Sequence, residues 1–113
     1  MAGRVERGEV RLFRFPAPDK ERPVLVLTRD SAIAYLSRIT VAPITSTIRN
    51  VPSEVTLGPE DGLRQRCAAN LHNLVTVRQD ALGRRLAQLS PRRMREVCSA
   101  IAFALGCDGA EGS

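Results

Sequence analysis

A mainly β domain closed by one C-terminal helix is the fold class that this sequence predicts. Three observations carry the prediction. Apolar runs of strand length are punctuated by turn residues every 8–12 positions or so. β-Branched and leucine-rich runs recur at Val24–Thr28 and Ile39–Ile44. Only one stretch, after Ser90-Pro91, carries a sustained helical period. Together they describe a small curled β-barrel or β-sandwich capped by a helix.

The elements follow in order. Gly8 to Phe15 interleaves charged and apolar residues and predicts a first strand. Pro16-Ala17-Pro18-Asp19-Lys20 predicts a loop, because proline cannot donate to a strand ladder. Val24 to Thr28 is continuously apolar up to its last residue, as expected of a strand buried on both faces. Ser31 to Leu36 reads as a loop or one helical turn, and Ile39 to Ile44 as the next strand. Pro43 within it marks an edge, a bulge or the strand's end.

Val55 and Leu57 alternate with Glu54 and Thr56, which predicts a half-exposed strand. Gly58-Pro59-Glu60-Asp61-Gly62 is a turn. Cys67 to Leu71 and Leu74 to Val77 predict two further strands, with a bend or bulge at His72-Asn73. Arg84 to Leu89 reads as a short strand or helical turn. Ser90 is a suitable N-cap and Pro91 suits the first helical position. Met94, Val97, Cys98, Ile101, Ala102 and Leu105 then form an apolar stripe, and Gly106 suits the stop. On this reading Cys98 is a small buried hydrophobe, Arg92 and Arg93 either face an anion or a partner or, as the simpler account, are solvated, and residues 107–113 are a frayed tail.

The chain of 113 residues supports one domain over 1–113, with its core at about residues 7–105. No apolar run approaches the roughly 20 residues of a membrane-spanning helix. Met1 to Arg7 lacks the apolar stretch of a signal peptide, so a cytoplasmic location is expected. Three cysteines without CxxC spacing specify neither a disulfide framework nor a zinc site. His72 is the only histidine, which excludes a histidine cluster. A nucleophilic pair of Cys67 and His72 is a weak alternative, resting only on their spacing of five.

The net charge of +5 favours an anionic partner, either nucleic acid or an acidic protein segment. Sixteen of the 17 basic residues are arginine, a bias that genome composition explains as well as function does. Two apolar runs each carry polar groups at one end. Arg22 stands just ahead of Val24-Leu25-Val26-Leu27, and Thr45-Ser46-Thr47 follow Val41-Ala42-Pro43-Ile44. An arginine and a threonine on adjacent strands can bind and polarise a phosphate.

Four blocks make the chain similar to the MazF/PemK family of toxin endoribonucleases from bacterial toxin–antitoxin systems. They are Arg7-Gly8-Glu9-Val10, Arg22 to Leu27, Val41 to Arg49, and Ala69-Asn70-Leu71 through Thr76-Val77. Leu82 to Leu86 and Leu89-Ser90-Pro91 also fit, so the resemblance runs from about Arg7 to Leu105. It implies an SH3-like barrel, a homodimer and no cofactor or metal. It also implies cleavage of single-stranded RNA at short sequences, by attack of a 2′-hydroxyl on the adjacent phosphate. The products would carry 2′,3′-cyclic phosphate and 5′-hydroxyl ends.

The family's catalytic arginine falls on Arg22 and its catalytic threonine on Thr45. The residue types suit the chemistry: a phosphorane gathers negative charge, and arginine offers a fork of donors to it while staying protonated. Thr45 can donate to a non-bridging or leaving oxygen. Ser46 and Thr47 are expected to position the phosphate, with Lys20, His72, Asn73 and Thr76 as further RNA contacts. His72 and Asn73 have two readings, as contacts to base edges or as groups satisfying a bend. The loop from Pro16 to Glu21 is shorter than in many members, which implies different or looser selectivity.

The partner implied is an antitoxin whose acidic segment folds across the basic groove. Two other functions share this barrel. One is a gyrase poison similar to CcdB, which acts through its C-terminal residues, against which the glycine-rich tail speaks. The other is a catalytically inactive SH3-like module that binds RNA without cutting it.

Overall fold

The computed structural model describes residues 5–16 and 20–107. Among these residues seven strands and two α-helices follow one another as β1 (Glu9–Arg14), β2 (Glu21–Val26), α1 (Asp30–Ile33), β3 (Arg38–Thr45), β4 (Glu54–Leu57), β5 (Cys67–Asn70), β6 (Val75–Arg78), β7 (Arg85–Gln88) and α2 (Pro91–Leu105). The curled antiparallel sheet and C-terminal helix match the predicted class. The expected tail lies outside the described residues beyond Cys107.

β3 is the hinge of the sheet. Its first half, Arg38 to Val41, pairs with β6, and its end, Ile44 and Thr45, pairs with β5. Its other edge pairs with β2, which pairs in turn with β1 and so with β7. β4 completes the far end through β5. Residues alternate between two cores, as the strand period of two requires. Leu25, Ala42 and Ile44 enter a larger core with Leu57, Leu71 and Val97, while Val24, Val26, Ile39 and Val41 enter a second with Val77 and Ile33. The strand run that begins at Val24 is apolar throughout because both faces of β2 are covered.

Pro23 decides where the β2–β3 ladder stops. The Leu27 amide donates to the Thr40 carbonyl at 3.0 Å, so odd residues of β2 and even residues of β3 face each other with their backbone groups. The next such pair after Leu25 and Ala42 would be Pro23 and Ile44, and Pro23 has no N–H to give. The recorded ladder ends at Val24 opposite Pro43. Pro43 turns its nitrogen the other way, into the gap where β6 has ended at Val41 and β5 begins at Ile44. It is therefore neither an edge nor a terminus; it marks the change of partner.

The sequence placed the start of β2 too late. The strand begins at Glu21, so Arg22 lies within it, opposite Phe13 of β1, rather than ahead of it. The β1 side supplies the pairing that proline denies on the β3 side.

Helix α2 is capped as expected. The Ser90 Oγ accepts from the Arg93 amide at 3.1 Å, Pro91 opens the first turn, and Gly106 closes the helix at φ 73°. Its apolar stripe is rotated from the predicted one. Val97 and Ala100 are buried, whereas Cys98 is exposed and Leu105 is 61% exposed. One helix packs over a narrow line of the sheet, and Cys98, one step round from Val97, falls off it. There an Arg7 Nη donates to the Cys98 Sγ at 3.0 Å.

Arg93 takes the other of its two readings and faces anions. It is not solvated: its side chain keeps 13% of its exposure and grips carboxylates. Its Nε and an Nη donate to the two Asp61 oxygens at 2.8 and 3.2 Å, and further bonds reach Glu60 and Glu96. The bonds to Asp61, ahead of those to Glu96, hold the guanidinium still more firmly protonated, against the cost of burial. Arg93 thus ties α2 to the turn after β4.

Candidate active site

Arg22 and Thr45 lie where the two central strands stop pairing. Extending the β2–β3 register by two residues places them opposite each other, on the same face of the sheet. A cleft of about 600 Å³ opens there, and both side chains line it with Ser46. Pro23 and Ile44 line it as well, so the pair that cannot close the ladder forms part of the cleft wall.

Leu63, Arg64 and Gln65 of the turn between β4 and β5 also line the cleft, with Cys67 at the start of β5 and Leu86 of β7. The cleft therefore combines an apolar lining with two arginines. Neither Arg22 nor Arg64 takes part in an ion pair among the described residues. Each is free to meet an anion, and a guanidinium meets phosphate oxygens with parallel donors.

The Thr45 hydroxyl has a defined role in the fold. Its Oγ1 accepts a hydrogen bond from the Thr47 amide at 3.1 Å. That bond shapes the turn after β3 and leaves the hydroxyl proton to donate into the cleft.

The other expected contacts are distributed differently. Thr47 shares the turn through its backbone, but its side chain does not line the cleft. Lys20 is exposed just before β2 and does not line it either. Thr76 stands on β6 opposite Thr40. His72 and Asn73 occupy the turn between β5 and β6, beyond the opposite end of β5 from Cys67. There the His72 amide donates to Asn70 Oδ1 at 3.1 Å, and its Nδ1 meets the Ser53 hydroxyl at 2.5 Å. Of the two readings of His72, these bonds support the second, a group that satisfies the bend.

The same geometry removes the Cys67–His72 pair, because each end of β5 keeps its own residue and His72 is engaged with Ser53. Burial, reinforced by Asp61 and Glu60, also pushes the Cys67 thiol up from its ordinary value, the opposite of activation. Sequence reasoning missed Leu63, Arg64, Gln65 and Leu86 as cleft residues. The turn signal at Gly58–Gly62 announced that the chain reverses there, but not what it reverses onto.

The chain matches the family described as the PemK-like, MazF-like toxin of type II toxin–antitoxin systems over residues 6–105. It is 46% identical over 87 residues to a probable endoribonuclease, MazF5, of Mycobacterium tuberculosis, covering 76% of this chain and 80% of that protein. It is 36% identical over 104 residues to a second probable endoribonuclease of that species, MazF2, covering 91% of this chain and all of the other. Among solved structures, the toxin MazF-mt6 of M. tuberculosis superposes with a TM-score of 0.80 at 33% identity, over 88% of this chain and 98% of that one. A mycobacterial endoribonuclease in complex with its cognate antitoxin gives a TM-score of 0.79 at 27% identity, over 90% and 95%.

Proposed function

Because the chain belongs to the PemK-like, MazF-like toxin family of type II toxin–antitoxin systems, we propose that its Arg22–Thr45 cleft is the active site of an endoribonuclease that cuts single-stranded RNA. The observation that carries the reading is the meeting of these two side chains in one cleft, at the point where proline stops the β2–β3 ladder.

The nucleophile belongs to the substrate. A ribose 2′-oxygen attacks the adjacent phosphorus, the bond from phosphorus to the 5′-oxygen breaks, and the products are a 2′,3′-cyclic phosphate and a 5′-hydroxyl. Arg22 faces the charge that builds on the non-bridging oxygens, and its donors bind that state more strongly than the ground state. A guanidinium stays protonated at neutral pH, so Arg22 stabilises the charge through hydrogen bonds whose protons it keeps, while the proton lost by the 2′-hydroxyl and the one gained by the leaving 5′-oxygen are exchanged with solvent. Thr45 donates its free hydroxyl proton to a phosphate oxygen, and Ser46 beside it helps hold the same group. Positive charge comes from the protein itself, and the reaction proceeds without a metal.

The active form is a homodimer in the cytoplasm. Its partner is an antitoxin with an acidic segment that lies over the basic cleft and shuts it. Charge supports this, since the chain is +5 overall and both cleft arginines lack an acidic partner among the described residues.

Purified protein incubated with a long single-stranded RNA in EDTA is expected to yield fragments with 2′,3′-cyclic phosphate and 5′-hydroxyl ends. RNA that stays intact, with the protein shown to be folded, would refute the proposal.

A further inference from the structure

The cleft has a second wall that the catalytic pair does not account for. After β4 the chain turns sharply through Gly58 to Gly62, and Leu63, Arg64 and Gln65 then line the same cleft as Arg22 and Thr45. Arg64 and Gln65 are exposed, and Leu63 is half-buried.

Such a wall could swing freely, but this one is fixed. The Gly58 carbonyl accepts from the Asp61 amide at 2.8 Å and from the Leu63 amide at 3.3 Å. The Gly58 amide donates back to Asp61 Oδ2 at 3.0 Å. Gly62 sits at φ 88°, where a side chain would be strained. Asp61 itself keeps only 6% of its side-chain exposure and is gripped by Arg93 of α2. The turn is bolted to the helix, and the three residues after it project from a rigid base. Rigidly held polar groups in a cleft are what selective binding requires.

Their chemistry is complementary. Arg64 carries an unpaired charge among the described residues, suited to a phosphate. Gln65 carries both a donor and an acceptor at one tip, suited to the edge of a base. Leu63 and Leu86 offer apolar surface against which a base can lie flat. The chain has six residues between β1 and β2, which leaves little room for selection from that side.

We propose that residues Leu63 to Gln65 form the selectivity wall of the cleft, with Gln65 reading a base edge next to the scissile bond and Arg64 holding a neighbouring phosphate. This rests on the reading of the cleft as a ribonuclease site. It adds that selection and catalysis are carried by opposite walls.

One experiment separates the two. Wild type, Gln65→Ala and Arg64→Ala are each incubated with the same long single-stranded RNA, and all cut ends are mapped. Circular dichroism melts confirm that these exposed substitutions leave the fold intact. Gln65→Ala is expected to re-rank the sites, losing about tenfold at those that wild type prefers while retaining cleavage elsewhere. Arg64→Ala is expected to slow every site by roughly tenfold and to flatten the dependence on salt. An unchanged ranking in Gln65→Ala overturns its role as reader, and unchanged rates and salt slope in Arg64→Ala overturn its role as phosphate contact. Wild-type protein that leaves the RNA intact overturns the ribonuclease reading itself, and the wall with it.

Discussion

The two walls of the cleft are built on different physics. The catalytic wall is the end of two core strands. Val24, Leu25 and Val26 are fully buried just behind Arg22, so hydrophobic packing fixes the strand and leaves the arginine's charge unspent. The opposite wall has Leu63 packed against the larger core, and its turn is held in addition by a side chain of α2. That hold is by charge, through Arg93 on Asp61, Glu60 and Glu96. Arg22 and Arg93 are therefore opposite uses of one residue type. The first is free for a phosphate, and the second is consumed in holding a turn. The contrast teaches that an arginine's role here is set by the carboxylates within reach and cannot be read from its charge.

Substitutions can break this contrast, and the largest effect should come from the catalytic wall. Arg22→Ala is expected to lower the cleavage rate by about 10³-fold, some 4 kcal/mol, because a preorganised charge donor is lost. Its urea midpoint should match wild type, since Arg22 is exposed and forms no ion pair among the described residues. A variant that cuts normally would dissolve the distinction between the walls.

Arg93→Met should show the reverse pattern. It strands the nearly buried Asp61 without its partner, and about 3 kcal/mol of unfolding free energy should disappear in urea titrations. Cleavage by the fraction that stays folded should persist, because Arg93 does not line the cleft. Thr45→Val comes next, with a loss of about 10²-fold, near 2.7 kcal/mol, in the single-turnover rate.

Two smaller tests sharpen the picture. Ser90→Ala removes the cap on the Arg93 amide and should cost about 1 kcal/mol in thermal or urea unfolding, with activity retained. Cys67, between the two walls, should react with iodoacetamide more slowly than Cys98 and Cys107. It is buried, and burial pushes its thiol up, whereas the other two are exposed. Mass spectrometry of tryptic peptides would report the order of labelling. Cys67 reacting first would show that the cleft opens further than its walls indicate.

Much of the fold was legible because its signals are local. The apolar run from Val24, the alternation at Glu54–Leu57 and the Ser90-Pro91 cap each depend on residues within a few positions. Arg22 and Thr45 were legible for another reason: their spacing in a family pattern. Cys98 was misjudged, and Arg93 left with two readings, because a helix's period gives its apolar stripe only to within about one step of 100°. Which step faces inward depends on the sheet beneath. The start of β2 was placed late because Pro23 looks like a strand boundary, whereas it only ends pairing on one side.

By itself the sequence determined the composition of each element, where the turns fall, and which two residues are proposed to carry the chemistry. These rest on backbone preference, on periodic burial and on a family pattern, all of which are written along the chain. Only the tertiary structure decided that Arg64 and Gln65 share a cleft with Arg22, that His72 meets Ser53, and that Arg93 is an anchor. Those facts depend on contacts between residues 19 to 43 positions apart, where the curl of the sheet and the packing of α2 choose the neighbours. Charge and hydrogen-bonding capacity are properties of a residue, but whether they are already satisfied is a property of the fold.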